Sequence, residues 1–190
     1  MLAIRPTRLV LFVLGPILAG CGAEPGPCDS LPMDGASVEI GGAPEGALGF
    51  EPFDDGADRP LVRGSQGGYH VWLNVRARGL CPTSTRLELR VFEESTDTMV
   101  VFQSLPAHLE PSVDVPDSAD LPRAIAMIIC PALTDGVPVA DAVHSVDLSL
   151  TDADGRRAEA SRRFVPRCDP AVQGGAFLAD CRCQCGLVCE

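Results

Sequence analysis

Apolar and polar residues alternate with a period of two over several stretches of this chain, the pattern of strands with one buried face. The clearest is 69–78. Tyr69, Val71, Leu73, Val75 and Ala77 take one face, and His70, Trp72, Asn74, Arg76 and Arg78 the other. Positions 86–93 alternate again, with Leu87, Leu89 and Val91 inward. The run 98–102 follows the turn-like Ser95-Thr96-Asp97, so these two segments are expected to pair as a hairpin. The run 124–130 is continuously apolar and reads as a buried central strand. Positions 144–151 alternate strictly, Asp152-Ala153-Asp154-Gly155 turns the chain, and 156–165 returns with Ala158, Ala160 and Phe164. Weaker strand signals lie at 37–40 and 47–50. The stretch 54–68 reads as loop, and 104–122, punctuated by Pro106, Pro111, Pro116 and Pro122, as a long connection. No convincing amphipathic helix is present. The expected fold is all-β, an antiparallel immunoglobulin-like β-sandwich of about seven strands with a Cys-rich C-terminal tail.

Composition supports that class and narrows the partners. The 190 residues suit one ordinary domain, and Gly 19 with Pro 17 is too much punctuation for a helix bundle. All 15 basic residues are Arg, and the net charge is -11. So acidic a chain argues against nucleic acid as a partner, because phosphate neutralisation needs basic patches.

The first twenty residues read as an address. Arg5 and Arg8 precede an apolar run from Leu9 to Leu18, a charged segment followed by an apolar core of about ten residues. Ten helical residues rise only about 15 Å, half the hydrocarbon thickness, so this is no stable membrane span. The segment ends Leu18-Ala19-Gly20-Cys21, which resembles the lipobox of bacterial lipoproteins. The resemblance implies cleavage before Cys21 and acylation of that residue, with palmitate-type chains as the anchor in the lipid bilayer. In that family an Asp after the lipid-bearing Cys marks the inner membrane. Gly22 stands here instead, which points to the outer membrane of the cell envelope. The alternative is a simple secretory signal. The expected organisation is therefore a signal peptide at 1–20, a Pro/Gly-rich tether at 21–36, the sandwich at 37–168 and the Cys-rich tail at 169–190.

Cysteine usage agrees with export. Setting Cys21 aside leaves Cys28, Cys81, Cys130, Cys168, Cys181, Cys183, Cys185 and Cys189 as disulfide candidates. Leu80-Cys81-Pro82 and Ile129-Cys130-Pro131 share a local form, which suggests a Cys81–Cys130 staple, although sequence cannot decide the pairing. The tail Cys181-Arg182-Cys183-Gln184-Cys185 could instead present thiolates to copper or zinc, or take part in thiol–disulfide exchange.

The Gly67-Gly68-Tyr69-His70-Val71-Trp72 stretch, the Ile129-Cys130-Pro131 step and the Thr151-Asp152-Ala153-Asp154-Gly155-Arg156 hairpin, taken with the lipobox, resemble predicted lipoproteins of myxobacterial type. The resemblance implies an envelope location and a sandwich fold, and no activity.

Candidate chemistry outside the cysteines is sparse. His70 and Trp72 share a strand face and form a candidate binding patch; the plainer reading of His70 is a polar-face histidine donating to a neighbouring loop. Asp152 and Asp154 are calcium candidates, because paired carboxylates suit a hard cation, yet Asp-Gly turn chemistry explains them equally. The acidic clusters at Asp54-Asp55 and at Asp114, Asp117 and Asp120 read as solvated loops. His70, His108, His144, Met127 and Cys130 could supply the atoms of a blue-copper site, but the usual late Cys-His-Met cluster is missing. No HExxH, G-x-S-x-G or phosphate-loop pattern occurs. The expected function is a non-enzymatic binding or structural role in the envelope, without a cofactor, with an envelope protein or glycan as a possible partner. The alternative is a metal-binding or thiol-redox lipoprotein that uses the tail.

Overall fold

The computed structural model describes residues 28, 31, 34–43, 49–131, 136–186 and 189. The leader, Cys21, most of the 21–36 segment and part of the expected 47–50 strand lie outside the described residues. In chain order the strands are β1 (Ser37–Gly42), β2 (Glu51–Pro52), β3 (Ala57–Pro60), β4 (Val62–Arg63), β5 (Tyr69–Arg78) and β6 (Thr85–Glu93). They continue with β7 (Thr98–Ala107), β8 (Glu110–Pro111), β9 (Ala119–Asp120), β10 (Ile125–Cys130), β11 (His144–Asp152) and β12 (Arg157–Arg167), followed by one helix, α1 (Pro170–Gln184).

These strands form two sheets of a β-sandwich. One has the order β3-β12-β11-β6-β7, antiparallel except for β3, which runs parallel to β12. The alternation read from sequence sets its inner face. Leu87 pairs with Leu150, Leu89 with Leu148 and Val91 with Val146, and all six are buried. The other sheet is gathered on β5, which pairs with β1 and β4 along one part of its length or another and with β9 and β10 likewise. Its inward residues Val71, Leu73, Val75 and Ala77 are buried, with Ile40, Met127 and Ile129 beside them. Interdigitation of the two inner faces is the usual way a sandwich removes apolar area from water, at ~25 cal/mol per Å².

Five sequence expectations differ from the structure, the first being the loop at 54–68, which carries β3 and β4 because each finds an edge of a long strand to pair with. The run 124–130 is not a central strand: among the described residues β10 pairs only with β5, and Ile128 is 61% exposed. A register shift after Ile128 turns both Ile129 and Cys130 inward, so a continuous apolar run served an irregular edge strand. The connection at 104–122 is partly strand, since β7 runs to Ala107 and β8 and β9 pair with each other. A bulge opposite Val91 and Phe92 turns both Val100 and Val101 inward and lets β7 continue beyond the expected 98–102. The tail contains a helix. Asp169 caps it by accepting from the Ala171 N–H at 2.8 Å, and Pro170 occupies the first turn, where a missing N–H costs nothing. Gly174, at φ 66°, breaks the helix into two pieces. Its covered residues are Gln173 and Cys181 rather than an apolar stripe, which is why no amphipathic signal announced it. The suggested Cys81–Cys130 staple is absent; the pairs are Cys28–Cys81, Cys130–Cys185, Cys168–Cys181 and Cys183–Cys189.

Both long hairpins are closed by buried carboxylates. Glu93 accepts from the hydroxyl of Thr96 and from the N–H groups of Ser95 and Thr96, which hold its pKa down to about 2 against its burial. At the β11–β12 turn, Asp152 accepts from the N–H groups of Asp154 and Arg156 through one oxygen. Its other oxygen accepts from the Cys81 N–H at 2.9 Å and from Arg156 Nε at 2.7 Å.

Leu89→Ala should lower the unfolding free energy by ~2–5 kcal/mol through the cavity it leaves. Glu88→Ala, one residue away on the opposite face, should stay within ~0.5 kcal/mol. Urea midpoints of the two variants would test this. His144 is buried, with Nδ1 3.1 Å from the Ala142 carbonyl and Nε2 without a partner, and burial lowers its pKa from 6.5. The unfolded chain therefore binds that proton more readily, so the folded state loses stability as pH falls through 6.5. His144→Leu should flatten this loss in denaturant titrations between pH ~6.5 and ~5, above the range of the carboxylates.

Candidate functional site

The outward side chains of β5 define one sheet face, and pairing decides what stands beside each. His70 lies between Val62 of β4 and Ile128 of β10, and Trp72 lies beside Ala126. These residues, with the 64–68 loop, line a groove of about 410 Å³. The loop closes on itself, the Gly64 N–H donating to the Gly68 carbonyl at 3.0 Å. Gly68 has a φ of 71°, and a Cβ there would stand 2.7 Å from the Cys130 carbonyl, so only glycine lets the loop lie so close to β10.

His70 and Trp72, the candidate binding pair, do come together. Their ring centroids are 4.4 Å apart with an interplanar angle of 79°. His70 is buried, and its Nε2 has no hydrogen-bond partner rather than donating to a loop as expected. Burial lowers its pKa from 6.5, which keeps the ring neutral at pH 7. The groove thus offers an apolar lining, one aromatic plane and one neutral imidazole.

Helix α1 stands at the rim. The Arg63 guanidinium lies over the Phe177 ring, 4.7 Å from its centroid. The Tyr69 hydroxyl, at the start of β5, donates to Asp180 Oδ2 at 2.7 Å and toward the Phe177 carbonyl at 3.1 Å. Burial, followed by the Asp180 carboxylate, pushes the Tyr69 pKa up to about 12. Gln173 also donates to the Leu61 carbonyl. Val62, Ile128, Phe177 and Asp180 carry no site signal in the sequence, because their role depends on pairing and docking over long separations.

Farther along the same face the surface becomes charged. Arg76 Nε meets Asp120 at 2.7 Å, Arg76 Nη2 meets Asp114 at 2.9 Å, and the Phe50 ring centroid lies 4.4 Å from the guanidinium carbon. Asp114 is exposed, as expected of a solvated loop, Asp120 is half-buried, and both are ion-pair partners of Arg76. Asp55 likewise engages Arg163 at 2.6 Å.

The calcium candidates are already engaged. Asp152 and Asp154 both face Arg156, whose Nη2 is 2.5 Å from Asp154, so a guanidinium stands where a cation would need to approach. The blue-copper set is not assembled either: Cys130 is bonded to Cys185, and His144 is buried in the other sheet. Among the described residues, the one convergent group of potential metal ligands is Cys168, Cys181 and Cys185, with sulfurs within 4.8 Å of one another, and all three are disulfide-bonded. A second depression of about 470 Å³, on the outer face of the other sheet, is lined by Glu88, Arg90, Asp147, Arg157 and Glu159. It contains no buried polar atom lacking a partner, unlike the His70 groove.

No family model matches the chain, and no curated protein matches it. Among solved structures it is similar to CopC from Methylosinus trichosporium OB3b, at 15% identity and a TM-score of 0.27, over 58% of this chain and 84% of that one.

Trp72 is the chain's single tryptophan, so its fluorescence reports on the groove directly. Protonation of His70 places a quenching imidazolium against the indole. Emission should fall on acidification with an apparent pKa below 6.5, and His70→Gln should abolish the step.

Proposed function

We propose that this chain is a disulfide-stabilised lipoprotein of the cell envelope, anchored in the outer membrane through acylated Cys21, with a non-enzymatic binding or structural role. The observation that carries the reading is that all eight cysteines other than Cys21 are paired. Four disulfides belong to an oxidising compartment. Cys21, at the end of a leader-type segment, is the ninth and odd cysteine, and lipidation gives it a use. Several acyl chains on one residue hold a protein stably where a single chain is marginal. No helix among the described residues is long and apolar enough to cross a membrane.

The disulfides also orient the body in this reading. Cys28 is bonded to Cys81, and its carbonyl accepts from Arg156 at 3.3 Å, so part of the expected tether is fastened to the sandwich. Seven residue steps separate Cys21 from Cys28, a reach of at most ~25 Å. The end bearing Cys81 and Arg156 therefore faces the bilayer. His70 lies eight residues from Arg78 along β5, ~26 Å at 3.3 Å per residue, so the groove is presented away from the membrane. Its apolar lining suits a side chain of an envelope protein; a glycan stacked on Trp72 is the other occupant. A second reading, metal binding or thiol redox in the tail, is favoured by the proximity of the Cys168, Cys181 and Cys185 sulfurs.

Intact mass of protein purified from envelopes should show a chain beginning at Cys21, carrying acyl groups, with no free thiol and no bound metal. Cys21→Ser should lose palmitate label and leave the membrane fraction. An intact leader in the soluble cell interior would overturn the anchoring. Four or more free thiols with bound metal would replace the first reading by the second.

A further inference from the structure

Two of the disulfides lie against each other where helix α1 meets the sandwich. Cys168–Cys181 joins the end of β12 to the helix, and Cys130–Cys185 joins β10 to the residue after it. The Sγ atoms of Cys181 and Cys185, which are not bonded to each other, are 4.0 Å apart. Cys130, Cys181 and Cys185 are buried, whereas Cys168 is only partly so. Of the four residues only Cys168 is not fully covered, which makes it the side for an outside reagent to approach, and a short inner gap leads from its partner to the second disulfide. This is the arrangement a thiolate needs to pass from one disulfide to the next, because exchange proceeds by thiolate attack on a neighbouring sulfur.

We propose that Cys168–Cys181 and Cys130–Cys185 form a thiol–disulfide exchange relay whose co-substrate is a dithiol. One thiolate of the dithiol attacks Cys168 Sγ, forming a mixed disulfide and releasing Cys181 as thiolate. Cys181 attacks Cys185 Sγ, forming Cys181–Cys185 and releasing Cys130, which takes up a proton. The second thiol of the dithiol then attacks its own sulfur in the mixed disulfide, freeing Cys168 and leaving as a cyclic disulfide. Two electrons and two protons pass from the dithiol to the protein, which ends with one bond, Cys181–Cys185, and thiols at Cys130 and Cys168.

The product bond lies wholly within the tail. Both disulfide links from α1 to the sandwich, at Cys130 and at Cys168, are gone. Besides the backbone itself, what then holds the helix includes the Tyr69 hydrogen bonds to Asp180 and the Phe177 carbonyl, the Gln173 contact to Leu61, the Val139 and Ala140 N–H bonds to the Cys185 carbonyl, and the Arg63–Phe177 stacking. Arg63, one partner of that stacking, lines the His70 groove, so the relay would loosen the rim of that groove. The proposal rests on the second, thiol-redox reading of the tail and not on the lipid anchor.

The sequence makes the products separable, because Arg167 and Arg182 place Cys168 with Cys181 on one tryptic peptide and Cys185 on the next. Cys183→Ser/Cys189→Ser protein, which lacks the most exposed disulfide, would be treated with equimolar dithiothreitol. It would then be acid-quenched, alkylated with N-ethylmaleimide and mapped without reduction. Wild-type protein run in parallel guards against misfolding of the variant. The expected result is a new link between peptides 168–182 and 183–190, loss of the link from 124–156 to 183–190, and alkylation at Cys130 and Cys168. Peptide 168–182 alkylated at both cysteines, with 124–156 still joined to 183–190, would overturn the relay. So would retention of both disulfides while Cys28–Cys81 is reduced.

Discussion

The structure depends on the position of β5, a ten-residue strand paired along both edges. Because successive side chains point to opposite faces, one register assigns Val71, Leu73, Val75 and Ala77 to the core and His70, Trp72, Asn74 and Arg76 to the other surface. A slip by one residue would put histidine, tryptophan, asparagine and arginine between the sheets, where unpaired polar groups cost several kcal/mol. The core and the candidate site are therefore two consequences of the same pairing. Their neighbours follow: Val62 and Ile128 flank His70 because β4 and β10 pair at that level, and Asp120 flanks Arg76 because β9 pairs at the other end.

The two ends of this strand have different chemistry. Near Arg78 the chain is fastened by Cys28–Cys81 and by Asp152, whose carboxylate joins Cys81, the β11–β12 turn and Arg156. Both oxygens of that carboxylate are used by several donors, and burial without them would favour the neutral acid. Near Tyr69 the fastening is the helix, held by two disulfides and few polar contacts. A cross-link acts mainly by removing conformations from the unfolded chain, which lets a short helix with no apolar stripe stay docked. The groove thus has a rigid floor of sheet and a rim that depends on sulfur chemistry.

How far the sequence could be read differed from element to element. The strands β5, β6 and β11 were recognisable because apolar core-facing residues recur at every second position. β10 and β7 were misjudged in role or extent, because a bulge makes neighbouring residues face the same way and breaks the period-two signal. The helix was announced only by Asp169-Pro170, a signal weaker than the missing hydrophobic face. His70 and Trp72 were found because they share a strand face. The other groove residues come from β4, the 64–68 loop and β10, and no local pattern places β4 and β10 beside His70. Asp152 and Asp154 suggested a cation, and the cation proved to be the guanidinium of Arg156, four residues from the first of them.

The sequence by itself determined the all-β class, the face each regular strand buries and the stock of cysteines, because these follow from side-chain period and residue chemistry. The cysteine pairing, the second wall of the groove and the orphaned Nε2 of His70 were decided only by the tertiary structure. Each of those is a distance between residues far apart along the chain. Such distances depend on how the sheets close and where the tail docks, and no local alternation encodes them.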